Sequence, residues 1–310
     1  MLPMSACSRR GDRVVPRLLP AFAGLLLLAA AALPAAGQDA APRARRIVAL
    51  DWGLAETLIA LGIPPIGVPE TRSYADWVVA PPLPAGVAEV GLRLEPNPEI
   101  LQQLAPDLIL TIAEHEAIRP LLARIAPTLA LPIYGPEGRP YDRAVAATGR
   151  LARLTGREAQ GEALIATAET VMARARARFA GSGDGRSVYV VSFLDGRHVR
   201  VYGKGGLFQD VLDRLGLRNA WQGETNGWGF ATIGIERLAD DPDASLIVLE
   251  PLPHDAQRTF RGSRLWRNLP FVRAGRVHRL PPVLMFGTLP AAVRFAELLT
   301  ATLLGEAPHE

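Results

Sequence analysis

Five histidines and one cysteine are the chain's candidates for metal ligation and nucleophilic or acid–base work. His115, His198, His254, His278 and His309 are scattered, with no i,i+4 pair and no H-E-x-x-H run. A zinc cage needs three or four such ligands, so local spacing builds none. Convergence of three histidines from distant segments is the remaining route. Cys7 alone can form neither a disulfide framework nor a multi-cysteine metal or iron–sulfur site. There is no G-x-S-x-G elbow, no P-loop and no G-x-G-x-x-G after the first expected strand. Gly203-Lys-Gly-Gly206 is glycine-rich but lacks the phosphate-loop spacing and its Ser/Thr, so it reads as a turn. An enzyme would need a nucleophile–base pair or a cofactor loop, and neither pattern occurs.

The aromatic residues are more informative. Trp52 follows the first expected strand, Trp77 lies in an expected loop before Pro81-Pro82, and Trp228 lies in Gly223-Glu-Thr-Asn-Gly-Trp-Gly229. With Trp221 and Trp266 they either cap apolar cores or wall a cleft for a bulky, mostly uncharged ligand. Arg93, in Val90-Gly-Leu-Arg-Leu-Glu-Pro-Asn97, either pairs with Glu95 at the surface or offers a fork of donors to ligand oxygens.

The elements that must position these residues alternate. Strands are expected at Arg46–Asp51, Ile66–Val68, Asp107–Ile112 and Thr128–Tyr134, with helices at Ala55–Leu61, Pro98–Leu104 and Ala117–Ile125 between them. From Tyr141 to Phe179 the chain is rich in Ala, Arg, Glu and Leu, which predicts one long helix or two abutting ones. Beyond Gly181-Ser-Gly-Asp-Gly185, strands are expected at Val188–Phe193, Val199–Tyr202, Ser245–Leu249 and Val277–Leu280. Helices are expected at Leu207–Leu215, Ile235–Ala239 and Leu289–Leu304. Glu99–Asp107 and Glu236–Asp243 echo each other: an acid-headed helix, a Pro-Asp turn and a buried strand. The fold class is therefore α/β, two Rossmann-like lobes with mainly parallel sheets joined by a long helix, with a ligand cleft between them. The expected divisions are 1–37, 38–138, 139–182 for the bridging helix, and 183–310.

Length and composition agree. The 310 residues are 49% apolar and 21% charged, which excludes disorder. Arg9, Arg10, Arg13 and Arg17, the apolar run Phe22–Leu33 and the small residues Ala35-Ala36-Gly37 form the pattern of a cleaved export signal. The run is shorter than the ~20 residues a membrane span needs. Removing it discards Cys7 and turns a formal charge of +3 into a neutral chain. Neither a nucleic-acid partner nor a disulfide is expected of the remainder, which should be a soluble, monomeric protein of the periplasm.

These segments resemble the periplasmic binding proteins of ABC importers for iron(III)–hydroxamate siderophores, the ferrichrome-binding group. The matching stretches run from Arg46-Ile-Val-Ala-Leu through Ala60-Leu-Gly-Ile, Pro81-Pro-Leu-Pro, Val90–Asn97 and Ala123-Arg-Ile-Ala-Pro127. They continue through Leu207–Asp213, Asn219–Asn226 and Pro270–Arg276. The resemblance implies two lobes on a helical backbone with little hinge closure, no catalysis, and delivery to an inner-membrane permease with its ATPase. It implies no cofactor, because the iron arrives wrapped by siderophore oxygens. It places Arg93 on the hydroxamate oxygens and Trp52, Trp77, Trp221, Asn226 and Trp228 around the cleft, with Ser192 and Leu194 as further candidates. Where the group carries a cleft Tyr this chain has His115, which suits a ligand with a free carboxylate. Where the group carries a second-lobe aromatic cluster it has Leu284-Met285-Phe286. Glu99 and Glu236, one per lobe, are the expected permease-docking acids, although an acid also suits a helix N-terminus. Another bulky chelate (a catecholate siderophore, haem or cobalamin), a ligand-sensing module and an α/β enzyme are the alternatives.

Overall fold

The computed structural model describes residues 44–182, 185 and 187–305; the expected export signal lies outside them. The N-terminal sheet begins with β1 (Ile47–Ala49), followed by helix α1 (Trp52–Ala60), β2 (Gly67–Val68), α2 (Thr71–Trp77) and β3 (Ala88–Glu89). Helix α3 (Pro98–Leu104), β4 (Leu108–Thr111), a 3-10 turn over Ala113–Ile118, α4 (Arg119–Leu122) and β5 (Thr128–Ala130) complete it. The strand order is β3-β2-β1-β4-β5 and every pairing is parallel. The order reverses direction between β1 and β4, the topological switch point at which doubly wound sheets bind ligands.

The long connection is two helices, α5 (Pro140–Thr155) and α6 (Glu158–Ser182). Gly156 separates them in a left-handed conformation that ends α5. The second sheet contains β6 (Val188–Phe193), β7 (His198–Tyr202), β8 (Phe230–Gly234), β9 (Ser245–Leu249) and β10 (Val277–Leu280). Its order is β10-β9-β6-β7-β8, with β6, β9 and β10 parallel and β7 and β8 antiparallel additions. Around it lie α7 (Leu207–Leu215), a 3-10 turn over Ile235–Asp240, α8 (His254–Gly262), α9 (Arg264–Asn268), α10 (Pro270–Arg273) and α11 (Leu289–Leu303). No described helix is long and apolar enough to cross a membrane.

Strand alternation sorts the apolar side chains into three layers. Ile47 and Ala49 of β1, Val188 and Val190 of β6, and Ile247 and Leu249 of β9 belong to one continuous core with α1, α5, α6, α7 and α11. Val48, Leu50 and Ile109 face the outer helices of the first sheet. Tyr189, Val191, Leu246 and Val248 face those of the second. Both faces of each central strand are thus buried, as parallel sheets require. The shared middle core is what holds the two sheets in fixed relation.

Candidate functional site

At the β1–β4 switch point the carboxyl ends of the parallel strands open into a cavity of about 450 Å³. Its floor and first wall come from Leu50, Asp51 and Trp52 after β1, Glu70 after β2, and Ile112 and Glu114 after β4. Its opposite wall comes from the second sheet: Arg200 of β7, Trp228 and Phe230 before and in β8, and Leu284 and Phe286 after β10.

Arg93 is delivered by a tight loop. Gly91 and Pro96 form an antiparallel bridge, Leu92 N donates to Glu95 O at 3.2 Å, and Asn97 N donates to Val90 O at 2.7 Å. Gly91 has φ +96°, and a Cβ there would lie 2.9 Å from Asn97 N, so this closure requires glycine. Asn97 then caps α3, its Oδ1 accepting from Glu99 N and Ile100 N. The loop thrusts Leu92, Arg93 and Leu94 into the cavity mouth; the two leucines are 56% and 58% exposed, an apolar lip beside the guanidinium.

The Arg93 guanidinium lies 4.1 Å over the Trp52 ring, a stacking worth ~0.5–2 kcal/mol. Its Nε donates to Glu70 Oε2 at 3.0 Å and its backbone N to Glu70 Oε1 at 3.2 Å. The pairing partner is therefore Glu70, not Glu95. Both Nη atoms remain without a hydrogen bond among the described residues, which leaves the outer edge of the fork for ligand oxygens. Trp52 is itself fixed: its Nε1 donates to Pro69 O at 2.9 Å and its ring meets Tyr74 edge-on.

His115 does not reach the cavity, contrary to the expectation for it. It is 1% exposed behind the Arg93 loop. Its Nδ1 accepts from Ile112 N at 3.1 Å, which places the ring proton on Nε2, and Nε2 donates to Arg93 O at 2.6 Å. A ring with both nitrogens so engaged has nothing left to offer a ligand. It ties the β4 loop to the Arg93 loop instead, and the expected preference for a carboxylate ligand loses its basis.

The far wall is aromatic despite the Leu284-Met285-Phe286 sequence. Trp228 stacks on Tyr134 at 5.6 Å and meets Phe286 at 4.9 Å, while Phe286 also packs against Phe230. Arg200 lies 5.0 Å over Phe230. Tyr134 donates to Gly287 O at 2.8 Å and so pins the loop carrying Phe286. Asn226 is a support rather than a lining residue; its Oδ1 accepts from Trp228 N and Phe230 N. Gly229, at φ +75°, lies so close to Gly203-Lys-Gly-Gly206 that a Cβ would come within 2.1 Å of Gly206 N. That glycine run is the turn against which Gly229, the residue after Trp228, is seated.

Of the other expected cleft residues, Trp77 ends α2 and packs half-buried on the middle core. Trp221 packs on the outer core of the second sheet, under Arg237. Ser192 is buried and accepts from the Tyr202 hydroxyl at 3.0 Å. Leu194 is exposed in the β6–β7 turn, outside the cavity. Trp52, Arg93, Trp228, Leu284 and Phe286 do converge. Asp51, Glu70, Ile112, Glu114, Arg200 and Phe230 also line the cavity and carried no local signal in the sequence.

Two carboxyls at α1 matter here: Asp51, half-buried at the cavity floor, and Glu56, fully buried. Asp51 caps α1 by accepting from Leu54 N, and burial pushes its pKa up to about 6. Glu56 of α1 is fully buried; its Oε1 accepts from Thr288 N at 2.5 Å and Thr288 Oγ1 at 2.9 Å, capping α11 from a neighbouring helix. Burial pushes Glu56 up to about 8, so its neutral form prevails near pH 7. Among the described residues no group of three or more His, Cys, Asp and Glu is placed to hold a metal ion.

Residues 47–284 match the periplasmic binding protein family. The chain belongs to that family. This periplasmic binding protein is 37% identical over 265 residues to the iron(3+)-hydroxamate-binding protein FhuD of Escherichia coli, covering 84% of this chain and 88% of that one. It superposes on the crystal structure of FhuD from Vibrio cholerae, solved with Fe3+-Desferal, with a TM-score of 0.80 and 32% identity over 85% of this chain and 99% of that one. Staphylococcus aureus SirA shares the fold at 20% identity and a TM-score of 0.65. The protein is a binding protein rather than an enzyme.

Proposed function

We propose that this chain captures a ferric hydroxamate siderophore in the cavity between its sheets and hands it to an inner-membrane ABC permease with its ATPase. The observation that carries the reading is Arg93, stacked on Trp52 with its outer edge unused, in a chain so similar to iron-hydroxamate-binding proteins. Hydroxamate oxygens are partly charged acceptors, and a guanidinium edge meets two at once. The aromatic far wall buries the organic backbone. Iron enters as part of the cargo, with its coordination filled by siderophore oxygens, so the protein supplies no metal ligand and no cofactor. The working protein is a periplasmic monomer released from the leader within residues 1–37.

Glu99 and Glu236 are the proposed docking acids. They are exposed, have no ion-pair partner among the described residues, and stand in the first turns of α3 and of the 3-10 turn after β8. Opposite charges on a permease would speed association and fix the register of docking. The test is the Glu99→Arg/Glu236→Arg double variant. Uptake of radiolabelled iron as its hydroxamate complex should be lost in cells while the affinity of the purified protein is retained. Normal uptake by the double variant would refute this docking.

A further inference from the structure

The charges of the cavity are unevenly distributed. Glu70 and Arg93 cancel as an ion pair. On the far wall Arg200 is the only charged lining group; it stacks on Phe230 and its Nη1 approaches Met285 Sδ at 3.7 Å. Asp51, Glu95 and Glu114 remain, all from loops of the first sheet, and none has a salt-bridge partner among the described residues. Glu95 and Glu114 are exposed at the rim, and Asp51 lies half-buried at the floor. Counting every charged lining group, the four carboxylates of Asp51, Glu70, Glu95 and Glu114 stand against the two guanidiniums of Arg93 and Arg200, a net excess of negative charge in an otherwise apolar lining. A net excess of one sign of charge in a cleft is focused between its low-dielectric walls.

We infer that the cavity selects, among ferric hydroxamates, those whose periphery carries an ammonium group, held toward Glu95, Glu114 and Asp51. The inference rests on the function proposed above and adds the charge class of the cargo. A neutral iron–hydroxamate centre fits between Arg93 and the aromatic wall in either case; the rim then discriminates by what hangs from it. With Arg93 engaged by the iron–hydroxamate centre, a pendant carboxylate at the rim would meet more like charge than opposite charge. An ammonium would meet the reverse. Exposed ion pairs are each worth ~0.2–1 kcal/mol. Two of them give about a 2- to 30-fold preference at low salt.

The test uses one chelate in three charge states. Iron(III)–desferrioxamine B ends in an ammonium; acetylating that amine makes it neutral, and succinylating it leaves a carboxylate. Affinities of the purified protein are measured by calorimetry at 20 mM and 500 mM salt. The ammonium form should bind about 2- to 30-fold tighter than the acetylated form, with the succinylated form weakest. The gap should shrink at high salt, where the Debye length falls to a few ångströms. It should also fall below twofold in the Glu95→Gln/Glu114→Gln variant, whose fold is checked by circular dichroism. Equal affinity for the three forms, or tightest binding of the succinylated one, would overturn the inference while leaving hydroxamate binding intact. Binding of none of the three forms would overturn this inference, and the proposed function with it only if other ferric hydroxamates also fail to bind.

Discussion

At the scale of single residues, the site turns on how Arg93 is held. Trp52 supports its face, Glu70 takes Nε, and His115 holds its carbonyl. Loss of Arg93 should cost more than the ~1.5–3 kcal/mol of one charged hydrogen bond if its free edge meets several ligand oxygens. His115 acts through Arg93, and that separates it from a residue that merely stabilises the fold. His115→Leu should weaken binding of a ferric hydroxamate about 3- to 10-fold, the effect of one neutral hydrogen bond. In an Arg93→Ala background the same change should cost less than twofold. His115→Gln, whose amide can donate to Arg93 O, should recover much of the loss in the otherwise native chain. Additive losses measured by calorimetry would assign His115 to general stability. Arg93 was legible because its loop has a recognisable sequence. His115 was legible as a position but not as a role, since nothing in the sequence says where its two nitrogens point.

At the scale of elements, the strands were legible where apolar runs are continuous, as in Leu108–Thr111, Val188–Phe193 and Ser245–Leu249. Helix α2 was not: Thr71-Arg-Ser-Tyr-Ala-Asp-Trp77 has a single buried residue, Tyr74, and no helical period. Strand β8 was hidden for a related reason, because Phe230–Gly234 is only half-buried at the sheet edge. With β8 went Phe230, on whose ring Arg200 of the neighbouring β7 stacks in the cavity wall. The junction of α1 and α11 was equally silent, since Glu56 and Thr288 are 232 residues apart. It has a measurable consequence. The folded protein holds the Glu56 proton up to about pH 8, whereas an unfolded glutamate releases it near 4.5. The folded state therefore binds more protons in this window, and stability falls as pH rises through it. Glu56→Gln keeps an acceptor for Thr288 and removes the charge. Thermal melts between pH 6.5 and 8 should show a shallower decline in the variant than in the native protein. Parallel declines would contradict the assignment of Glu56.

At the scale of the whole molecule, two sheets share one core, and the cavity opens where the first sheet's strand order reverses. Two α/β lobes with a cleft between them were legible from the alternation of strands and helices and from the paired motifs; the shared core and the strand reversal at the cavity were not. Nor was the composition of the cavity, because six separate loops converge there only once both sheets have formed. A core continuous across the lobes disfavours a wide hinge motion, so the cavity should be largely formed before the ligand arrives. The central claim is that this preformed cavity recognises iron already wrapped in hydroxamate oxygens. Trp52 and Trp228 line it and report directly on its occupancy. The decisive measurement is tryptophan fluorescence titration with iron-loaded and iron-free forms of the same hydroxamate siderophores. Saturable quenching at or below micromolar concentration by the iron-loaded forms, reduced in Arg93→Ala, is the expected result. Failure of every ferric hydroxamate to quench at micromolar concentration would contradict the account.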